Sequence, residues 1–353
     1  MTDLAKPLTT TPVRAVSAPV RRRRRVLLLA VIASAALLAL SLISLTKGQM
    51  DMAPSVALRG LFGFGDQGDV FVVQEFRAPR LAAALIAGAG LGVAGSVLQR
   101  LFRNPLASPD VMGITGGASF GSVVLLAAGA SASLIPLGAL GGGLLAALLL
   151  GVFAWRSGLT VTRLVLVGLA VQAGLAAAVN LMVVRFPAEL AGAALQWTTG
   201  SLYGRTWTEV GGAAAAMALA LVAVFVLHRR LAVLDLGDES AGALGINVSA
   251  ARLQLLLTAI TLASLAAALT GPVAFVALAV PHLVRFVTGP PTAATTALTC
   301  LVGAVLLLSS DLVVQHLLPV EGLPVGVVTA TLGAPWLLVL MLRQSMPVNR
   351  SSV

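Results

Sequence analysis

The sequence has few charged and few reactive side chains for its length. Only 10% of its 353 residues are charged, whereas 58% are hydrophobic. That apolar surplus exceeds what a soluble domain could bury. The single cysteine, Cys300, excludes an intrachain disulfide and a cysteine-based metal cluster. These shortages indicate an integral membrane protein, and we predict no metal site.

Lysine is especially rare, and the positions of the two lysines bear on whether the chain itself binds ATP. The only lysines are Lys6 and Lys47, and neither lies in G-x-x-x-x-G-K-[ST], so we expect no ATP site on this chain. A proton- or ion-coupled carrier needs ionisable groups inside its spans. The candidates are His282 and Asp311, and we interpret Asp311 as a helix-packing acid. No nucleophile and base occur together, so no catalytic residue is predicted.

Long apolar runs are what the sequence does contain. Lipid cannot satisfy free backbone groups, so such runs must be helices, and the alternation of membrane strands is missing. We predict an all-α membrane protein with about ten transmembrane helices. They lie near 26–46, 78–101, 110–130, 135–155, 162–185, 206–228, 252–271, 276–287, 293–316 and 322–343.

The basic residues predict how the chain is organised across the membrane. We expect a disordered, basic cytoplasmic tail over 1–25, a single permease domain over 26–345 and a second cytoplasmic tail over 346–353. With both termini inside, 17 of the 23 basic residues face the cytoplasm. The arginines sit singly between spans without an aromatic-basic platform, so contact with membrane lipid is expected and nucleic acid is not. Residues 186–205, with Trp197, are expected to lie along the outer surface.

Glycine patterns suggest packing rather than nucleotide binding. Gly90 to Gly95 matches G-x-G-x-x-G, but the strand and the acidic residue that a dinucleotide site needs are absent. Gly88, Gly92 and Ser96 recur at four-residue spacing, which favours close helix packing.

Proline interrupts the membrane pattern in two comparable places, Asn104-Pro105 with Pro109 and Gly271-Pro272 with Pro281. Broken segments at matching places in two halves indicate an inverted repeat and a substrate route. We therefore expect an inverted repeat, although the similarity between the halves is faint.

Arg77 and Arg80 are predicted to lie on the outer side, against the general excess of basic residues on the cytoplasmic side. Beside Pro79, they could pair with carboxylates of a soluble partner. The alternative is that they only reach lipid headgroups at a helix end.

Several short motifs follow one another along most of the chain. They are Arg77-Ala-Pro-Arg80, Arg103-Asn-Pro-Leu-Ala-Ser-Pro109, Trp197 with Gly200-Ser-Leu202, Leu236-Gly-Asp-Glu239, Gly271-Pro-Val-Ala-Phe-Val276, Pro281-His282 and Leu323-Pro-Val-Gly326. Together they resemble the iron-siderophore permeases of binding-protein-dependent ABC importers, the FecCD type, which includes the vitamin B12 permease.

The resemblance implies the vitamin B12 permease-like fold of type II ABC importers, with two subunits of ten helices around a central pathway in the inner membrane. It implies two cytoplasmic ATPase subunits, which would hold ATP and Mg, and a periplasmic or lipid-anchored siderophore-binding protein. This chain would be a pore subunit without a cofactor, not an enzyme.

The resemblance also implies roles for particular residues. Docking of the binding protein falls on Arg77 and Arg80. The cytoplasmic gate or pathway would be formed by Asn104, Pro105, Leu106, Thr160 and Thr162. The contact that couples this chain to the ATPase would be made by Leu236, Gly237, Asp238, Glu239, Leu244 and Gly245.

Two departures from the family pattern concern the partner subunit. Gly289-Pro-Pro-Thr292 stands where many members have Gly-Asp-His-Arg, and Gln315 stands where they have arginine. Losing that arginine argues against symmetrical salt bridges, so a heterodimer with a related permease is favoured over a homodimer.

The expected cargo is a ferric siderophore, catecholate or similar. Such a complex is anionic, bulky and partly aromatic, and suits a wide cavity lined by Gly, Ala, Ser and Thr. Vitamin B12 or haem would fit the same walls. An ion-coupled secondary transporter is the alternative from another class.

Overall fold

The computed structural model describes residues 18–155, 161–318 and 323–345. This part of the chain contains fourteen α-helices and one π-helical turn, Val72–Arg77, without strands. The helices α1 to α14 are Ala18–Thr46, Pro54–Leu61, Gln67–Phe71, Ala78–Leu101, Ile114–Ala127, Ile135–Trp155, Val161–Val184, Ala188–Thr199, Trp207–Leu234, Asp238–Ala243, Val248–Thr270, Val276–Thr288, Ala293–His316 and Val325–Ser345.

Ten of these helical segments are candidates for crossing a membrane. Seven are long and apolar enough to span it, and three shorter apolar stretches lie in α5, α12 and the first half of α14. Among the described residues this agrees with the ten predicted spans. The chain is an all-α, multi-pass membrane protein.

Helix α4 forms the centre of the bundle. In its apolar stretch 72% of the residues are buried, against 6% in α1, which lies on the outside. α4 packs against α9, α11, α12 and α13. Its small side chains permit this, since a Cβ at Gly95 would lie 1.7 Å from the carbonyl oxygen of Ala277 in α12.

The glycine stripe of α4 lies against α13. A Cβ at Gly88 would be 2.4 Å from the carbonyl oxygen of Gly303, and one at Gly92 would be 2.8 Å from that of Thr299. Ser96, one turn further on, is buried. The two backbones therefore approach so closely that these two glycines leave no room for a larger side chain.

A second glycine contact, which the sequence analysis missed, joins α5 to α6. A Cβ at Gly142 would lie 2.0 Å from the carbonyl oxygen of Gly117, and one at Gly121 equally 2.0 Å from that of Gly138. Each helix thus offers two glycines four residues apart. That spacing was a readable signal for close packing.

The two proline-interrupted segments each precede a short helix. α5 has 14 residues and α12 has 13, about 20 Å of helix against a hydrocarbon core of about 30 Å. The irregular segments 102–113 and 271–275 come directly before them. α5 runs away from the end of the bundle where α4 finishes, and α12 runs towards it. This antiparallel relation is compatible with an inverted repeat, which stays a prediction.

The first helix begins earlier than predicted. We expected residues 1–25 to be a disordered tail, but 18–25 form the first turns of α1, and that part of the prediction is wrong. Arginine is a good helix former, and Arg22 is anchored: its Nε donates to the carbonyl of Thr288 (2.9 Å) and its Nη2 to that of Pro290. Residues 1–17 and 346–353 lie outside the described residues.

These contacts define two ends of the bundle. The basic end holds the start of α1, the end of α4, α10 and the end of α12, with Arg22, Arg100, Arg103 and Arg252. The opposite end holds the end of α1, the start of α4 and the end of α13, with Arg77 and Asp311.

Candidate functional site

Arg80 is held at the opposite end by an ion pair inside the chain. Its Nε and Nη2 donate to the two carboxylate oxygens of Asp311, at 3.0 and 2.7 Å. The Asp311 side chain is 1% exposed and that of Arg80 21%. Gln315 Nε2 also donates to Asp311, at 2.7 Å. The pair joins α4 to α13, in agreement with a packing role for Asp311.

Arg77, one turn before Arg80, is held by backbone carbonyls. It ends the π-helical turn Val72–Arg77, and its Nη1 donates to the carbonyl of Leu45 at 2.6 Å while Nη2 donates to that of Met50. Both guanidinium groups are thus engaged within the chain. Docking of a binding protein on Arg77 and Arg80 stays a prediction.

The predicted gate residues Asn104, Pro105 and Leu106 form a tight turn after α4. Asn104 Oδ1 accepts a hydrogen bond from the Leu106 N–H (2.9 Å), and its carbonyl accepts one from the Ala107 N–H (3.1 Å). Arg103, before the turn, has φ 47°, which is uncommon outside glycine. The shape of this turn is therefore set by its own hydrogen bonds.

The other predicted gate residues come from the connection before α7. Thr160 lies outside the described residues, and Thr162 is the second residue of α7. α7 meets the segment that follows the Asn104 turn, since a Cβ at Gly168 would lie 2.6 Å from the carbonyl oxygen of Val111. A shared gate of these elements stays a prediction.

The predicted coupling residues surround the short helix α10, Asp238–Ala243. We call Leu236 to Gly245 the coupling loop. Gly237, before the helix, has φ 113°, and Gly245, after it, has φ 80°. Such values favour glycine, which explains why both ends of the loop carry it.

The side chains of the coupling loop divide into apolar and charged groups. Leu236 and Leu244 are 65% and 63% exposed, and Glu239 is exposed as well. Asp238 is half exposed, and its Oδ1 accepts from Arg252 Nη2 at 2.7 Å. Two exposed leucines beside a carboxylate form a surface suited to another protein.

The segment 186–205 contains α8, Ala188–Thr199, and one face of this helix packs on the bundle. Ala194 is fully buried against α5 and α7 and Trp197 is only 8% exposed, whereas Leu195 and Tyr203 are 57% and 68% exposed. A position along the outer surface stays a prediction. The guanidinium carbon of Arg205 lies 4.7 Å from the centroid of the Trp197 ring, and Glu209 lies 3.9 Å from Arg205. This cation–π contact gives the indole a buried partner, which tryptophan's general preference for headgroups does not reveal.

With this geometry in place, comparison with known proteins identifies the family. The sequence profile described as the FecCD transport family matches residues 36–343, from within α1 almost to the end of α14. The chain belongs to the FecCD transport family. The predicted family is therefore confirmed, and the FecCD match includes all the described candidate residues above.

Two curated FecCD relatives align over nearly the whole chain. The ferric enterobactin transport system permease protein FepG of Escherichia coli K12 is 40% identical over 302 residues, covering 85% of this chain and 91% of FepG. The Fe(3+)-citrate import system permease protein YfmE of Bacillus subtilis is 36% identical over 323 residues, covering 91% and 96%.

A solved structure extends the FecCD comparison to the fold. A transporter assigned to the metal-chelate type of ABC transporter, in an inward-facing conformation, superposes with a TM-score of 0.79 at 28% identity. The alignment covers 89% of this chain and 98% of that one. The predicted importer fold is thus confirmed.

Proposed function

We propose that this chain is the pore subunit of a binding-protein-dependent ABC importer that moves a ferric siderophore into the cytoplasm. The FecCD match over residues 36–343 carries the proposal. The names of the relatives support iron chelates as the cargo class, since they include enterobactin, citrate and hydroxamate systems. A catecholate is the finer proposal, and the identity with FepG favours it.

The basic end faces the cytoplasm in this proposal. Arg22, Arg100, Arg103 and Arg252 all lie there, as expected for the side that retains positive charge. Both termini then lie in the cytoplasm, and the binding protein meets the opposite end.

The coupling loop is proposed to seat on a partner ATPase, which holds ATP and Mg. Leu236 and Leu244 supply exposed apolar contacts and Glu239 a charge at the rim, the usual composition of a docking patch. The second permease of the pore is proposed to be a related, different subunit. The chain itself would carry no cofactor and catalyse no reaction.

Uptake into proteoliposomes tests this function. We expect vesicles holding this chain, its partner permease and the ATPase to accumulate a ⁵⁵Fe-siderophore when the binding protein is outside and ATP inside. Omitting ATP or the binding protein should abolish accumulation. Gradient-driven uptake by this chain alone would instead establish a secondary carrier, and the proposal would be rejected.

Arg77 and Arg80 are the proposed contacts of the binding protein. Arg77→Glu should raise the binding-protein concentration that half-stimulates ATP hydrolysis several-fold, because an attractive charge becomes repulsive. Arg80→Glu would also break the buried pair with Asp311 and is therefore not used. Arg59→Glu, at an exposed arginine of α2 at the same end, makes the same charge change and should have little effect. An unchanged half-stimulating concentration in Arg77→Glu would remove the docking role of this end.

A further inference from the structure

Two segments with separate proposed roles are tied together at the basic end. Arg100, at the end of α4, donates from Nη2 and Nε to Asp235 Oδ2, at 2.8 and 3.3 Å. Arg103 Nη2 donates to the carbonyl of Leu234 at 2.7 Å and lies 3.9 Å from Asp238 Oδ1. We call these contacts the arginine clamp.

The Arg100–Asp235 pair of the clamp is partly buried, whereas the Arg103 and Asp238 side chains are about half exposed. The Arg100 side chain is only 5% exposed and that of Asp235 32%, so water screens their attraction weakly. Burial also means that removing one partner leaves an uncompensated charge. Such a pair holds its two segments in one arrangement.

The clamp lies close in sequence to both functional segments. Arg100 comes four residues before Asn104 in the proposed gate turn, and Asp235 directly precedes Leu236, the first residue of the coupling loop. Arg103 adds a direct contact between the two segments. Its backbone is left-handed, and its Nη2 donates to the carbonyl of Leu234. Few rotatable bonds therefore separate the gate from the loop.

We propose that the gate turn and the coupling loop move as one unit, with Arg100 and Asp235 as the positioning residues that join them. This inference rests on the proposed import function. A displacement of α10 by the ATPase would reach Asn104 through the clamp, in addition to reaching α11 through the bond between Asp238 and Arg252. Arg100 and Asp235 act through the turn and the loop.

Counting cargo moved per ATP hydrolysed in the complete transporter tests the clamp. Arg100→Gln and Asp235→Asn should each lower this ratio about fivefold, while the ATPase still co-purifies and still hydrolyses ATP. The charge swap Arg100→Asp with Asp235→Arg should recover most of the ratio. Arg230→Gln is the control, because this arginine lies at the same end and bonds to Gln254, outside the clamp.

Leu244→Asp separates coupling from docking, since it should lose the ATPase itself. The clamp would be overturned if Arg100→Gln and Asp235→Asn left the ratio of cargo moved to ATP hydrolysed unaltered. It would also be overturned if that ratio fell only because the ATPase was lost. Failure of the swap to recover the ratio would also count against it. Absence of ATP-dependent uptake by the wild-type transporter would reject the proposed function instead.

A cross-link replaces the charge pair with a covalent connection and so provides a second readout. Cys300 is the only cysteine, so Arg100→Cys with Asp235→Cys in a Cys300→Ser background leaves two thiols for a short bismaleimide linker. If the two segments move together, the unlinked form should have a lowered ratio of cargo moved to ATP hydrolysed, and linking should recover most of it. Arrest of uptake on linking would show that they separate, and would overturn the proposal.

Discussion

Replacing Asp311 with alanine is expected to destabilise the protein by about 3 kcal/mol, because Arg80 would lose its counter-charge in a mostly buried position. For a chain of this size that loss corresponds to a melting temperature lower by about 4 °C. The expected effect is large because the pair is bidentate and connects the central helix α4 to α13. Thermal unfolding of the purified protein in detergent measures it.

A double-mutant cycle separates this charge effect from lost packing. Arg80→Ala with Asp311→Ala removes both charges, and the double variant should be more stable than Asp311→Ala alone. The control is Asp51→Ala, because Asp51 pairs with Lys47 in solvent, with side chains 62% and 55% exposed. The Lys47 hydrogen bond lowers the pKa of Asp51, yet no measurable loss of stability is expected there. Equal melting temperatures for the single and double Asp311 variants would contradict the buried-charge explanation.

Gly142→Ala is expected to destabilise the protein by about 3 kcal/mol, at the upper end for overpacking. The added methyl would lie 2.0 Å from the carbonyl oxygen of Gly117. The methyl carbon is bonded directly to the backbone of α6, and the oxygen is part of the backbone of α5. No side chain can rotate away, so α5 and α6 must separate. The melting temperature and the yield of monodisperse protein in detergent measure the effect.

The neighbouring glycine provides the control. A Cβ at Gly141 meets nothing within 4 Å, so Gly141→Ala should be neutral, or stabilising by up to about 1 kcal/mol through helix propensity. The two substitutions are adjacent and chemically identical. If both variants melt at the same temperature, the close α5–α6 contact does not exist as described.

Hydropathy predicted where the helices lie, because each residue has its own free energy of transfer from water to lipid. The runs expected at 78–101 and 293–316 correspond to Ala78–Leu101 and Ala293–His316. The two proline-interrupted segments were also predictable, since proline removes a backbone donor wherever it stands. These signals are local, so one sequence is enough to read them.

Partners across the bundle could not be predicted in the same way. Arg80 and Asp311 are 231 residues apart, and nothing in either neighbourhood names the other. Likewise the glycine spacing marks Gly117 and Gly142 as packing positions without saying which helices meet. The burial of Trp197 depends on Arg205, a residue of the following loop. Each of these features is a property of the packed arrangement.

The peripheral position of α1 has a consequence for assembly during synthesis. α1 packs chiefly on α13, with Ala33 in a cluster with Val284 and Leu298. These contacts join the start of the chain to residues made more than two hundred positions later. A ribosome would therefore deliver α1 to the bilayer long before its neighbours exist, and it must wait in lipid while the other helices fold. α1 is thus among the last helices to gain its main packing partner.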